Sequence, residues 1–337
     1  MEDVLINYVL WPLLKIIVVM LCLTVLVMAL TYAERKVVGH IQVRLGPMRV
    51  GWHGVLQPVA DVVKLLLKED VIPDKADRWI FILAPAMAVI PAFVVFSVIP
   101  FGPAPYRVTD VSVGLLLILA ISSVGVLGII LGGWASNSKY PFMGALRASA
   151  QMISYEVPMG LAIISVLLMA RSLSLVEIVQ YQQEAGWWFV FLQPLAFFIY
   201  LCCGYAETNR LPFDLPEAES ELTGGFHTEY SGMRFAFFFL AEYINMVSIS
   251  CLVVVLFFGG WLRPFPNIGW LSFLDFVPAV VWFVLKVFFF LYLYLWVRGT
   301  FPRYRFDQLM EVGWKYFLPL TIVNILVTAG VLLYFLK

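Results

Sequence analysis

The chain has 337 residues and balances 22 Lys and Arg against 22 Asp and Glu, so no net charge points toward a nucleic-acid partner. Its residues are 62% hydrophobic and 13% charged, with a mean hydropathy of +0.91, which excludes two soluble domains and marks a polytopic membrane protein. Cys22, Cys202, Cys203 and Cys251 lie in apolar runs without a CxxC, and His40, His53 and His227 lie in polar connections. That pattern argues against a disulfide framework, an iron–sulfur site or a haem.

Eight apolar runs are long enough to cross about 30 Å of hydrocarbon as helices, predicting a single all-α membrane domain over residues 1–337. They fall near residues 6–32, 79–100, 111–134, 152–170, 187–206, 235–258, 276–297 and 316–336. The first run leads into AERK with no small-residue cleavage site, so it is expected to stay as a span. The longest hydrophilic connection follows at 34–77. Its second half places Val55, Leu56, Val59, Val62, Val63, Leu66 and Leu67 at helical spacing, with Asp61, Lys64 and Lys68 on other faces. Such a helix lies along a membrane surface or under a partner. Ahead of it, RLGPMRVG joins two arginines through a Gly-Pro turn, which suits a fixed contact loop. The plain alternative is a basic loop holding anionic lipid.

In the third run Gly128 and Gly132 form a GxxxG, expected to be a helix-packing surface. In the fourth, Glu156 stands one turn inside the span, two residues before Pro158. The fifth run ends in ETNRLPFDLPEAESELTGGFHTEYSG at 207–232, which holds six of the 22 acids: Glu207, Asp214, Glu217, Glu219, Glu221 and Glu229. A short helix is expected there, capped by Asp214, with Glu217 three residues on and Gly224-Gly225 as its stop. Helix-dipole effects account for Asp214 and Glu217, but Glu221, one turn beyond Glu217, meets a like charge. Two turns into the sixth run comes Glu242, and Lys286 falls near the middle of the seventh.

The connections after runs one, three, five and seven carry 16 Lys and Arg, whereas the other side, termini included, has four. The positive-inside rule then puts the acidic stretch on the cytoplasmic side and both termini outside. Glu34, Glu156, Glu207 and Glu242 all lie in the half of the membrane facing that stretch. One buried charge is often a structural ion pair or a snorkelling residue. Several in one half, with Lys286 further in, read as a proton path.

AERK, QVRLGPMRVGWHGVLQPVADVVKLLLKE, ASAQMISYEVP, AETNRLPFDLPEAESELTGGFHTEYSG, AEY and RGTFPRYRFDQLMEVGWK occur in that order. Together they resemble the quinone-site membrane subunit of respiratory complex I, the H subunit of the bacterial NADH–quinone oxidoreductase, over nearly the whole chain. The resemblance implies a subunit without redox centres, with NADH, flavin and iron–sulfur clusters held by peripheral partner subunits. It implies ubiquinone or menaquinone as substrate, a bacterial inner membrane, and contacts with lipid, peripheral-arm subunits and antiporter-like membrane subunits. By position it assigns the quinone cavity and docking surface to Arg35, Arg44, Asp61, Lys64 and Phe239. It assigns an acidic relay to Glu34, Glu156, Glu207, Asp214, Glu217, Glu219, Glu221, Glu229 and Glu242. Lys286 joins that relay on its position within a span, and His227 is given no role. Two alternatives stand beside this reading: the membrane subunit of a related energy-converting hydrogenase, and a self-contained proton or ion transporter.

Overall fold

The computed structural model describes residues 10–104, 106–214, 224–264 and 274–335. Among these the regular elements are all helices, with no strand. The short helix expected after Asp214, with Glu217, Glu219 and Glu221, lies outside the described residues.

In chain order the helices are α1 (Trp11–Ile41), α2 (Gln57–Leu67), α3 (Arg78–Val95), α4 (Gly114–Ala135), α5 (Lys139–Ala170) and α6 (Leu175–Ala185). Then come α7 (Phe189–Leu192), α8 (Pro194–Glu207), α9 (Gly232–Phe257), α10 (Ala279–Thr300), α11 (Phe306–Glu311) and α12 (Leu318–Phe335). A π-helical turn, Val312–Phe317, makes α11 and α12 continuous. Seven of these runs have the length and apolarity of membrane spans; the fifth expected span is instead broken. Its break falls at Gln193, which leaves helical geometry just before Pro194, a residue with no N–H to continue the ladder. The side-chain amide of Gln193 at the break is itself satisfied inside the protein, donating to Thr328 Oγ1 at 2.8 Å and accepting from Asn324 at 2.9 Å.

Several helices outrun their apolar stretches at one end. α1 continues through Glu34, Arg35, Lys36 and His40, and α5 starts at Lys139, well before the apolar run of its sequence. Charged residues propagate a helix well once it has begun; only hydrocarbon excludes them.

At the centre lies α9, every residue from Met246 to Phe257 being buried. That stretch is apolar on all sides apart from two serines, the pattern of a helix enclosed by others. Tyr155, Tyr200, Phe257, Phe283 and Phe290 pack into the main core. A second, smaller core joins Phe81, Ala145, Tyr230 and Phe238 near the acidic end of α3, α4 and α5. The GxxxG glycines are in close packing: a Cβ on Gly128 would lie 2.8 Å from Ala88 N, and one on Gly132 would lie 3.1 Å from Phe238.

The connections fall on two faces. On one, Asn137 donates to Lys75 O (3.0 Å), Arg234 pairs with Asp70 (3.0 Å), and Arg303 pairs with Asp214 (3.2 Å). On the other, Leu115 N donates to Leu173 O (3.1 Å), and Gln182 on α6 donates to Val255 O (3.0 Å) at the end of α9. The broken pair α7 and α8 runs from the second face to the first, beside the seven span-length apolar helices found among the described residues.

Candidate functional site: two cavities joined by an ion-pair cluster

Beyond the apolar part of α1 the chain turns back on itself. Arg44 N donates to Gly39 O at 2.8 Å, and Pro58 opens α2 at a position that needs no N–H. Gly54 has φ +81°, and a Cβ there would sit 2.3 Å from Pro47 O, so this turn needs glycine. The result lays α2 beside α1, with Asp61 2.6 Å from Arg35 and 3.4 Å from Lys64. Burial works against a charged Asp61, but the Arg35 hydrogen bond and charge, with Gln57 and Lys64, outweigh it and hold the carboxyl below its usual range.

Between α1, α2 and α9 opens a cavity of about 780 Å³. Arg35, Arg44, Asp61, Lys64 and Phe239 all line it, although they are spread over some 200 residues of sequence. Val27, Met28, Leu65 and Leu240 give it apolar walls.

Glu34 lies in the wall of the same cavity and is itself buried. It accepts from Tyr243 Oη at 2.7 Å, from Arg210 Nη1 at 3.4 Å, and from Arg298. Arg210 also pairs through Nε with Glu242 at 2.6 Å and stacks over the Tyr243 ring at 4.1 Å. Two carboxylates therefore meet two guanidiniums, from α1, α9, α10 and the turn after α8. Neutralising Glu242 leaves Arg210 its second carboxylate, Glu34, so the buried cation keeps a partner.

On the far side of this cluster is a second cavity of about 40 Å³, space for roughly three waters. Its polar lining is Glu207, Thr208, Asn209, His227, Glu242 and Asn245, and Phe239 borders both cavities. Gln151 of α5 holds the turn that carries Glu207 and Arg210, donating to Ala206 O (2.8 Å), Asn209 Oδ1 (3.2 Å) and Phe213 O (2.8 Å). Glu156, one turn along α5 from Gln151, is near enough to act electrostatically on Glu207. His227 is in a 3-10 turn between the acidic stretch and α9, where burial lowers its pKa to about 4.

The structure thus brings Glu34, Glu207 and Glu242 together, with Glu156 beside them. Asp214 is buried on a different contact, to Arg303, and Glu229 is half-buried just before α9. Lys286 is not among them. Its Nζ donates to the carbonyls of Phe258 (2.7 Å), Gly260 (3.0 Å) and Leu262 (2.6 Å), and it stands 4.7 Å over the Trp188 ring. It closes the end of α9, about 24 Å along the helix axis from Glu242 at 1.5 Å per residue. Among the described residues no three His, Cys, Asp or Glu are grouped to hold a metal ion.

Sequence reasoning overlooked Arg210, Arg298, Tyr243 and Gln151. For Arg210 a signal was present: it is the one Arg or Lys among the six acids of 207–232. For Arg298, Tyr243 and Gln151 there was none, since nothing in their spacing shows which acid they meet.

A sequence profile described as NADH dehydrogenase matches residues 14–329. An H subunit of the NADH-quinone oxidoreductase of Geobacter metallireducens, the second of that name, is 52% identical, covering 94% of this chain and 93% of that protein. Its namesake from Rhizobium meliloti is 51% identical over 94% and 96%. The first of the NADH-quinone oxidoreductase H subunits of Koribacter versatilis is 47% identical over 95% and 91%. The chain therefore belongs to the NADH dehydrogenase family, as an H subunit of NADH–quinone oxidoreductase.

Proposed function

We propose that this chain takes quinone from the bilayer and couples its reduction to proton movement. The observation that carries this reading is the cavity of about 780 Å³ with a charged rim and apolar walls, a volume within the usual range for ligand sites. Ubiquinone or menaquinone has a polar headgroup and a long apolar tail. The walls at Val27, Met28, Leu65 and Leu240 suit the tail. Arg35, Arg44 and Lys64, with Asp61 fixing Arg35, supply donors to the headgroup carbonyls and a charged surface for the peripheral-arm subunits, and Phe239 packs against the ring. Electrons come from NADH through flavin and iron–sulfur clusters in those partners.

Charge changes at the reduced quinone act on Glu34 and are relayed through Glu242, Glu207 and Glu156, with Asp214, Glu217, Glu219, Glu221 and Glu229 at the acidic end. From there they pass toward antiporter-like membrane subunits. The complex lies in a bacterial inner membrane, the basic connections facing the cytoplasm. Relatives named as H subunits, each covering more than nine-tenths of the chain, support this over a hydrogenase-linked subunit or a free-standing transporter.

Glutamine keeps the shape and hydrogen bonding of glutamate but exchanges no proton. In Glu156→Gln, Glu207→Gln and Glu242→Gln variants, the complex should assemble and keep NADH–ferricyanide electron transfer. Quinone-dependent turnover and the coupled ΔpH in membrane vesicles should fall roughly tenfold or more, toward the loss usual when a proton-transfer group is removed. Normal pumping in all three sinks the relay, and loss of assembled complex assigns the acids to the fold.

A further inference from the structure

Among the described residues, Arg210 pairs with a carboxylate in the wall of each cavity: Glu34 in the large one and Glu242 in the small one. We propose that Arg210 is a positioning residue whose sharing between Glu34 and Glu242 transmits the charge state of the large cavity to the acids of the small one. This rests on the two-cavity reading above.

The geometry suits a shared cation. The Glu242 contact, at 2.6 Å, is tight, whereas both contacts to Glu34, at 3.4 Å, are loose. Glu34 keeps two other donors, Tyr243 Oη and Arg298, so it need not empty its hydrogen bonds when Arg210 moves away. Stacking on the Tyr243 ring guides the guanidinium plane between the two acids and holds it there. Gln151 fixes the backbone of the turn, so the side chain carries the motion.

A proton arriving at Glu34 removes its charge, and Arg210 then bears wholly on Glu242 and keeps it ionised. When Glu34 gives up that proton, Arg210 is shared again, and Glu242 gains a proton from the small cavity. There it faces Glu207 and His227, with Glu156 acting on Glu207 from α5. A proton entering at Glu34 is matched by one leaving Glu242 into the small cavity, and a proton released by Glu34 toward the large cavity is matched by one returning to Glu242, with no covalent change.

Arg210→Gln and Arg210→Lys variants of the whole complex test this in inverted membrane vesicles, normalised to NADH–ferricyanide activity. For Arg210→Gln, the pH profile of quinone reduction should move by about one pH unit or more, the size of effect a neighbouring opposite charge has. Protons moved per electron should fall as well. Arg210→Lys keeps the charge but not the fork that spans both acids, so its profile should move less while its proton yield still drops. An Arg210→Gln complex with wild-type profile and proton yield overturns the proposal. So does loss of the assembled complex in both variants, which would make Arg210 a structural tie. If only the lysine variant assembles, its profile and proton yield decide by the same criterion. Normal pumping in Glu156→Gln, Glu207→Gln and Glu242→Gln would instead fail the underlying relay. Loss of pumping there beside an unaltered Arg210→Gln would fail this proposal alone.

Discussion

His227 packs edge-on against Phe226 and Phe235, with ring centroids 5.0 and 5.1 Å away, and borders the cavity that holds Glu207 and Glu242. Burial lowers its pKa from 6.5 to about 4, so the folded protein holds it neutral over a range in which an unfolded chain takes up a proton. Above pH 6.5 both states are neutral and His227 adds no pH dependence. As pH falls from 6.5 to 4 the unfolded state binds the extra proton, so stability declines, by on the order of 1–3 kcal/mol. Thermal unfolding of the solubilised complex should therefore lose more between pH 6.5 and 4 in the wild type than in His227→Gln. Parallel curves would mean that the imidazole is already well hydrated. At this scale the sequence was half legible. Arg35, Arg44, Asp61, Lys64 and Phe239 share one cavity, Glu34 and Glu242 sit around a single arginine, and Glu207 shares the small cavity with Glu242. Which acid meets which base depends on helix packing, and spacing along the chain carries no record of it.

Among the elements, the antiparallel hairpin of α4 and α5 shows most directly what close approach demands. A Cβ on Gly133 would lie 2.3 Å from the Ala145 Cβ and 2.7 Å from Pro141 O, both on α5. Gly125, two turns back on α4, has nothing within 4 Å of the same position. Gly125→Ala should leave assembly unchanged or slightly improved, by up to about 1 kcal/mol of helix propensity. Gly133→Ala must push the helices apart, at about 1–3 kcal/mol, and should lower the amount of assembled complex on native gels. Equal assembly of the two would show that the hairpin yields without cost. Helix number and order were legible because apolar runs of about 20 residues have few other uses. Helix ends were not: Glu34 lies on a helix that continues to Ile41, since hydropathy reports where hydrocarbon stops and not where a helix stops. The break at Gln193 was marked by Pro194, yet the partners of the Gln193 side chain, Asn324 and Thr328, over 130 residues away, left no mark in the spacing.

For the whole molecule, the division of charge between the two faces predicts an orientation. The basic connections are tied to one another by Asn137 to Lys75, Arg234 to Asp70 and Arg303 to Asp214, so they form one surface. Lys15 instead reaches Arg107 O at 3.0 Å on the opposite side, where Lys286 also closes the end of α9. A surface carrying most of the Lys and Arg is retained in the cytoplasm during insertion. Reporter fusions after Asp70, Asn137 and Tyr304 should therefore read cytoplasmic, and those after Tyr106 and Gln182 should read external. The fusion after Gln182 is the most demanding, because it tests the one crossing made by a broken helix. α8 has 14 residues, about 21 Å at 1.5 Å per residue, which alone falls short of the hydrocarbon thickness. With α7 included, the helical run over 189–207 reaches roughly 28 Å, enough to cross where neighbouring helices shelter the break. An external reading at Gln182 beside a cytoplasmic one at Tyr304 makes α7 and α8 a span, because α9 and α10 between them supply only two crossings. A cytoplasmic reading at both Gln182 and Asp70 would put the two ends of α9 on one side, since Gln182 holds Val255 and Asp70 holds Arg234, and the quinone-to-proton route would fall with it.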